Sequence, residues 1–249
     1  MNKEARIWYL FNSGFAVETQ KYFIIFDYYM DTPARQPRTM DTGVICPEEI
    51  PNKKVLVFSS HSHSDHFNPI ILNWRSKIKD IKYILSSDIS APTAGDTVFV
   101  SPGNHYDVDD IGIDVFDSTD IGVSFFVHID GITIFHSGDL NWWHWKGENE
   151  KYNKDMASAY KKQINMLKGK HIDIVFIPVD PRLEEFYTLG LDYFMTTVGA
   201  QRVFPMHFGN NYAMFEALKR DIASKEYISK VVDITHRGQS FTYTPDEFN

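Results

Sequence analysis

From residue 61 to residue 66 the chain reads His-Ser-His-Ser-Asp-His, four candidate metal donors in six positions, directly after the apolar run Val55-Leu56-Val57-Phe58. Imidazole nitrogens and carboxylate oxygens are the usual zinc donors outside thiolate sites, and a tight turn after a strand lets alternate residues point into one cavity. The spacing therefore reads as two pairs of ligands. Packing alone rarely selects three His and one Asp in so short a turn. Cys46 is the only cysteine. No internal disulfide can form, any metal must be held by nitrogen and oxygen, and the thiol itself reads as a small buried hydrophobe.

With 249 residues, 43% of them hydrophobic and 15% aromatic, the chain has enough apolar surface for one enzyme-sized domain spanning residues 1–249. The formal net charge of −8 comes with no long basic run. That argues against a nucleic-acid groove, which must neutralise phosphates, and equally against a membrane surface. The opening Met1-Asn2-Lys3-Glu4-Ala5-Arg6 leads into Ile7-Trp8-Tyr9-Leu10-Phe11, an apolar stretch broken at once by Asn12-Ser13-Gly14. It is too short for a signal peptide or a spanning helix, and a cytoplasmic protein is expected.

Aromatic and β-branched runs bounded by Gly, Asn, Asp or Pro predict strands at Ile7–Phe11, Phe15–Glu18, Tyr22–Phe26 and Val55–Phe58. Proline-bearing residues 31–38 read as a surface loop. A helix is expected from Pro69 to Lys77, with Asn68 as its N-cap and Pro69 in its first turn. Short strands follow between Tyr83 and Phe135, with a turn at Asp130-Gly131. A second helix, Asn153–Lys168, places Met156, Tyr160, Ile164 and Leu167 on one core-facing side and stops at Gly169. Beyond it, strand Ile172–Val179, helix Leu189–Val198, strand Val203–Met206, helix Tyr212–Ala223 and strand Val231–Ile234 alternate, which implies helices packed outside sheet.

His61-Ser62-His63-Ser64-Asp65-His66 resembles the HxHxDH signature of the metallo-β-lactamase fold superfamily. Phe135-His136-Ser137-Gly138-Asp139 is similar to its strand ending in Gly-Asp, and Phe204-Pro205-Met206-His207 to its late strand ending in His. Asn12-Ser13-Gly14-Phe15 and Ile24-Ile25-Phe26-Asp27 resemble the start of the branch that includes the ascorbate-phosphate lactonase-like hydrolases. The resemblance implies an α/β (α+β) architecture, a four-layer αββα sandwich with its metals at the edge where both sheets end. By the same resemblance His61 and His63 bind a first metal, Asp65 and His66 a second, Asp139 bridges the two and His207 completes the second. A hydroxide shared by paired metals is then the nucleophile, with Asp65 helping to orient it.

One departure from the family pattern is visible. The third histidine of the first metal normally stands just before the strand that corresponds to Val123–Val127, where this chain has Phe116-Asp117-Ser118-Thr119-Asp120-Ile121-Gly122. Asp120 is the preferred substitute because its turn abuts that strand. Asp117, His105 from the preceding loop, or a single-metal site are the alternatives. His128 reads as structural. Asn141-Trp142-Trp143-His144-Trp145 follows Asp139, which offers Trp142, Trp143 and His144 as a substrate wall, and Arg182, at the end of a strand, is a further candidate contact.

The expected activity is that of a metal-dependent hydrolase of a small-molecule ester, lactone, amide or phosphoester. One or two divalent transition metals are its cofactors, zinc or manganese in preference to iron. The alternative is a metal-dependent oxidoreductase of the mononuclear iron dioxygenase type, or a metal-binding protein without turnover. Family members with a di-iron redox centre typically carry Glu at the position of His63, which favours hydrolysis here.

Overall fold

The computed structural model describes residues 3–245. Met1 and Asn2 of the leader reading, and residues 246–249 of the single-domain assignment, lie outside them. The strands in chain order are β1 (Ala5–Phe11), β2 (Gly14–Glu18), β3 (Tyr22–Phe26), β4 (Lys54–Ser59), β5 (Ile81–Ser86), β6 (Thr97–Val100), β7 (His105–Val108), β8 (Ile111–Asp117), β9 (Val123–Ile129) and β10 (Ile132–His136). Helix α1 (Glu150–Asn165), β11 (Ile174–Pro178), α2 (Leu189–Thr197), β12 (Arg202–Met206), α3 (Met214–Asp221) and β13 (Ser240–Tyr243) complete the order. They form a seven-stranded sheet, β13-β1-β2-β3-β4-β5-β6, and a six-stranded sheet, β12-β11-β10-β9-β8-β7.

The period-2 alternation of side chains decides which face each strand gives to the core. On β1, Ile7 and Tyr9 face the space between the sheets, while Trp8 and Leu10 face outward. Aromatic rings fill that space. Phe15 of the first sheet lies 4.3 Å from Phe176 of the second, and Phe58 lies 5.0 Å from Phe125. Truncating one such ring to Ala costs roughly 3–5 kcal/mol. Outside the second sheet, Tyr160, Ile164 and Leu167 pack with Leu191 and Phe194 of α2. Outside the first sheet the cover is a 3-10 segment, Pro69–Ser76, whose Ile71 and Trp74 are buried beside Tyr28 and Ile45. The molecule is thus a mixed α/β sandwich of two sheets with helices on its outer faces.

Asn68 caps the Pro69–Ser76 segment, accepting from the Ile70 amide, but the coil is 3-10 where the sequence predicts an ordinary helix. Helix α1 begins at Glu150 rather than Asn153, because Asn149 is its N-cap and accepts from the Tyr152 amide. Residues 231–234 do not form a strand. Val231 makes a single bridge to Val203, and the chain then turns away. The strand that closes the first sheet is instead β13, antiparallel to β1 with Ala5 opposite Tyr243. Cys46 is half-buried, its Sγ 3.2 Å from the Arg38 carbonyl, rather than a core residue.

Candidate metal centre

Parallel strands deliver the donors to one edge because their C-terminal ends all point the same way. His61 to His66 follow β4, Asp139 follows β10 and His207 follows β12. Two glycines let the loops of the second sheet reach the end of β4. A Cβ on Gly122 (φ +81°) would lie 2.1 Å from the Ser60 carbonyl oxygen, and one on Gly138 (φ +52°) would lie 2.7 Å from that of Val123. The Val123 amide then donates to Ser60 O at 2.9 Å, so the two sheets are hydrogen-bonded at the site itself.

Asp139 sits at the centre of the cluster. Its Oδ2 is 3.5 Å from His61 Nε2, while its Oδ1 is 3.2 Å from His66 Nε2 and 3.4 Å from His207 Nε2. Asp65 Oδ2 lies 3.6 Å from His66 Nε2 and 3.7 Å from His207 Nε2. His61 Nε2 is 3.0 Å from His63 Nδ1, and Asp120 Oδ2 approaches that same His63 nitrogen to 3.9 Å. His63, Asp120 and Asp139 thus form one three-donor group, while Asp65, His66 and His207 form another. Asp117 and His105 belong to neither. His105 is on the edge strand β7, paired with Asp114 at 2.7 Å and Asp107 at 3.2 Å. His128 is exposed on β9.

Three buried atoms make the case for a cation. His66 Nε2, His207 Nε2 and Asp139 Oδ1 converge without hydrogen-bond partners, an arrangement that is costly unless something positive joins them. Bonds of about 2.0–2.2 Å to nitrogen and oxygen place tetrahedral donors about 3.3–3.6 Å apart. The spacings of 3.2–3.7 Å among Asp139, Asp65, His61, His66 and His207 bracket that range, so the residues present fit a divalent metal.

Carboxylates behind the imidazoles fix their orientation. Asp27 is fully buried and meets His66 Nδ1 at 2.7 Å while accepting from both the amide and the hydroxyl of Ser60. Asp180 plays the same part for His207, at 2.9 Å from Nδ1. Each pairing turns Nε2 toward the cluster, as carboxylate–histidine pairs do at metal sites. Burial alone would raise the pKa of Asp27 and of Asp180; His136 and His66 hold Asp27 below the usual range, and His207 and Arg182 do so for Asp180. Burial likewise disfavours charge on Asp139, yet His66, His207 and His61 hold it well below the ordinary carboxylate value. His66 is raised despite its burial by Asp139 and Asp27, while burial and the neighbouring His66 lower His61. Sequence reasoning placed Asp27 within the family resemblance and Asp180 in a strand-end segment facing the site, but gave neither the role of holding an imidazole. The available signal was a carboxylate at the end of an all-apolar strand.

Asn12, in the β1–β2 turn, donates to Asp65 at 3.2 Å, and its carbonyl accepts from the His207 amide. Thr119 exchanges hydrogen bonds with the backbone of Asn141, which holds the Asp120 turn beside the Asp139 loop.

The cluster opens into a cleft of about 350 Å³. Trp143, Trp145, Tyr152 and Met156 line its apolar side, and Arg182 stands beside His207. Trp143 is nearly buried and donates from Nε1 to the Asp139 carbonyl at 2.9 Å. Two residues offered by the sequence point elsewhere. Trp142 packs among Tyr160, Tyr193 and Lys161, because its neighbours on α1 and α2 supply a better apolar seat. His144 lies on Phe186 at 4.0 Å, off the cleft. Trp145 is the second tryptophan that lines the cleft, and Met156, half-buried against the core as expected, lines it as well.

The donor cluster at the sheet edge, the two face-to-face sheets and the helical outer cover together decide the architecture. The fold is that of the metallo-β-lactamases. Igni18, a metallo hydrolase from the hyperthermophilic archaeon Ignicoccus hospitalis KIN4/I, superposes with a TM-score of 0.62 at 16% identity, over 99% of this chain and 100% of that one. The metallo-β-lactamase fold protein YhfI from Bacillus subtilis gives 0.60 at 12% identity, over 96% and 99%. CmlA, a diiron β-hydroxylase from Streptomyces venezuelae, gives 0.64 at 10% identity over 98% of this chain, which spans 54% of CmlA. No protein-family model and no curated protein sequence matches the chain. Among the described residues no helix is long and apolar enough to cross a membrane.

Proposed function

We propose that this chain is a metal-dependent hydrolase of small-molecule esters, lactones, amides or phosphoesters. The observation that carries the reading is the convergence of the partnerless His66 Nε2, His207 Nε2 and Asp139 Oδ1 at the floor of an open cleft. In this reading Asp65, His66 and His207 would hold one divalent metal and His61, His63 and Asp120 a second, with Asp139 within reach of both. Such metals supply Lewis acidity and make a water molecule acidic enough to serve as a nucleophile near neutral pH. Asp65, half-exposed at the cleft floor and steadied by Asn12, would orient such a water, while Trp143 shields His207 from bulk solvent. Zinc and manganese suit this mixed imidazole and carboxylate donor set.

The test is elemental analysis of protein purified without added metal, coupled to turnover screens on an ester, a lactone and a phosphodiester, for wild type and Asp139→Ala. Metal and turnover in wild type, both lost in Asp139→Ala, are expected. Equal metal content in the two proteins would refute the assignment. A second reading rests on the three carboxylates Asp65, Asp120 and Asp139, a donor set hard enough for iron. Oxygen consumption that requires bound iron, with no hydrolysis, would move the protein to the oxidoreductases.

A further inference from the structure

Among the residues lining the cleft, Arg182 is the only Lys or Arg, against the three carboxylates of Asp65, Asp120 and Asp139. Its guanidinium is held rigidly on one edge. Nε donates to both oxygens of Asp180 at 3.0 and 2.9 Å, and Nη2 to Oδ2 at 2.5 Å. Asp180 is itself 1% exposed, whereas the Arg182 side chain is 62% exposed. The five N–H donors of a guanidinium lie in one plane. With the inner edge spent on Asp180, the outer edge, Nη1 and the second hydrogen of Nη2, has no acceptor among the described residues: His207 Nδ1 lies 3.4 Å from Nη2 but gives its own hydrogen to Asp180.

The backbone beside Arg182 carries strain as well. Glu184 has φ 53° and ψ −125°, which kinks the 3-10 segment Pro181–Phe186 two residues after the arginine. Such outliers persist where surrounding contacts over-determine them, commonly beside ligand sites. Here the contacts are Asp180 on one side and the exposed pairs of Lys146 with Glu184 and Glu185 on the other. The guanidinium also lies 5.8 Å from the Trp145 ring, so charge and apolar surface are adjacent. On α1, Tyr152 and Met156 stand one turn apart on the same face and extend that surface.

We propose that the substrate is a small amphipathic anion, whose carboxylate or phosphate-type group pairs with the outer edge of Arg182 while its apolar arm lies against Trp145, Tyr152 and Met156. The assignment rests on reading this cleft as the hydrolase's substrate site. A pre-oriented fork of this kind binds an oxyanion through two parallel bonds with little ordering cost.

The experiment uses calorimetry on metal-loaded wild type, Arg182→Gln and Arg182→Lys, with phenylacetate, phenylphosphonate and neutral phenylacetamide as probes. The metal content of each protein is measured alongside. Wild type is expected to bind one or both anions at least about tenfold more tightly than the amide. Arg182→Gln should lose that preference, Arg182→Lys should keep part of it, and metal content should not change. The anion preferred by wild type separates a carboxylate from a phosphate-type substrate. Equal binding of anions and amide to wild type overturns the proposal, as does an Arg182→Gln protein that keeps the preference. Loss of metal from Arg182→Gln also overturns it, because Arg182 would then act through Asp180 and His207. Turnover of mono-4-nitrophenyl glutarate and of neutral 4-nitrophenyl valerate is followed in parallel. An Arg182-dependent anion preference without turnover of either ester upholds the anion site and counts against esterase activity, whereas turnover without any preference does the reverse.

Discussion

The two halves of the candidate metal centre are built differently. Asp65, His66 and His207 rest on a buried frame, where Asp27 and Asp180 lock both imidazoles and Asn12 steadies the carboxylate. His63 and Asp120 stand at the rim, with side chains 48% and 46% exposed, and they meet each other only at 3.9 Å. The buried half is preorganised before a cation arrives. The rim half must order two exposed side chains, so it is expected to lose more conformational entropy on binding and to hold a metal less tightly.

The largest effect that contrast predicts is at Asp27. Asp27→Ala leaves the His66 Nδ1 and the amide and hydroxyl of Ser60 without their buried acceptor, which should lower folding stability by roughly 3–5 kcal/mol and empty the buried half. Chemical denaturation and metal content, measured together, check this. A destabilisation near that of a surface substitution would show that the frame is not holding His66.

Asp180→Asn should come next. The side chain keeps its shape but can no longer serve as a charged partner for His207 Nδ1, and metal affinity of the buried half should fall by about 10–100-fold. A competition titration with a chelator reads the change, and equal affinities would reduce Asp180 to an anchor for Arg182.

At the rim, Asp120→Ala should release one metal equivalent while the other stays, with folding stability altered by no more than about 0.5 kcal/mol because the side chain is exposed. Asp120→His should restore the lost equivalent and shift its preference from manganese toward zinc, since an imidazole replaces a hard oxygen donor. Should Asp120→Ala retain both equivalents with unchanged affinity, the aspartate is only a turn residue. Stepwise chelation of wild type should likewise strip the rim first.

No loss of metal is expected at the opposite end of the sandwich, where Asp173 is a buried carboxylate whose partners are supplied by protein. It accepts from Tyr243 Oη at 2.6 Å and from the Thr133 amide at 2.8 Å. Burial alone would raise its pKa, but Tyr243, Thr133 and His171 bring it below the ordinary value. A depressed folded pKa means the stabilisation is complete above the unfolded value of about 3.9 and is lost as pH falls through the folded one. Asp173→Asn should therefore lower stability by about 1–3 kcal/mol at pH 7, and the gap from wild type should close in acid. A gap independent of pH would mean that packing of β13, not the charge, is what the substitution removes.

The pairing of two sheets was implied by the family resemblance, and most of the early strand limits were legible because aromatic and β-branched runs end there at turn residues. The Asp130-Gly131 turn is an example, with both residues at positive φ. What failed to show was long-range. β13 is a polar strand, Ser-Phe-Thr-Tyr, and only its pairing with β1 makes it one. Val231–Ile234 has a strand's composition but lacks a partner beyond Val203.

The sequence by itself determined the donor chemistry and the order of the donors along the chain, because those follow from residue type and short-range pattern, while the sandwich was implied by the resemblance those motifs carry. Only the tertiary structure decided that Asp120 rather than His105 meets His63, that Trp145 and Met156 face the cleft while Trp142 and His144 do not, and that Asp27 and Asp180 stand behind the imidazoles. The physical reason is common to all of these. Each depends on where segments distant in the sequence come to rest against one another, between the two sheets at Gly122 on Ser60 and within the second sheet at Thr119 on Asn141, and no local periodicity encodes a meeting between residues that far apart in the chain.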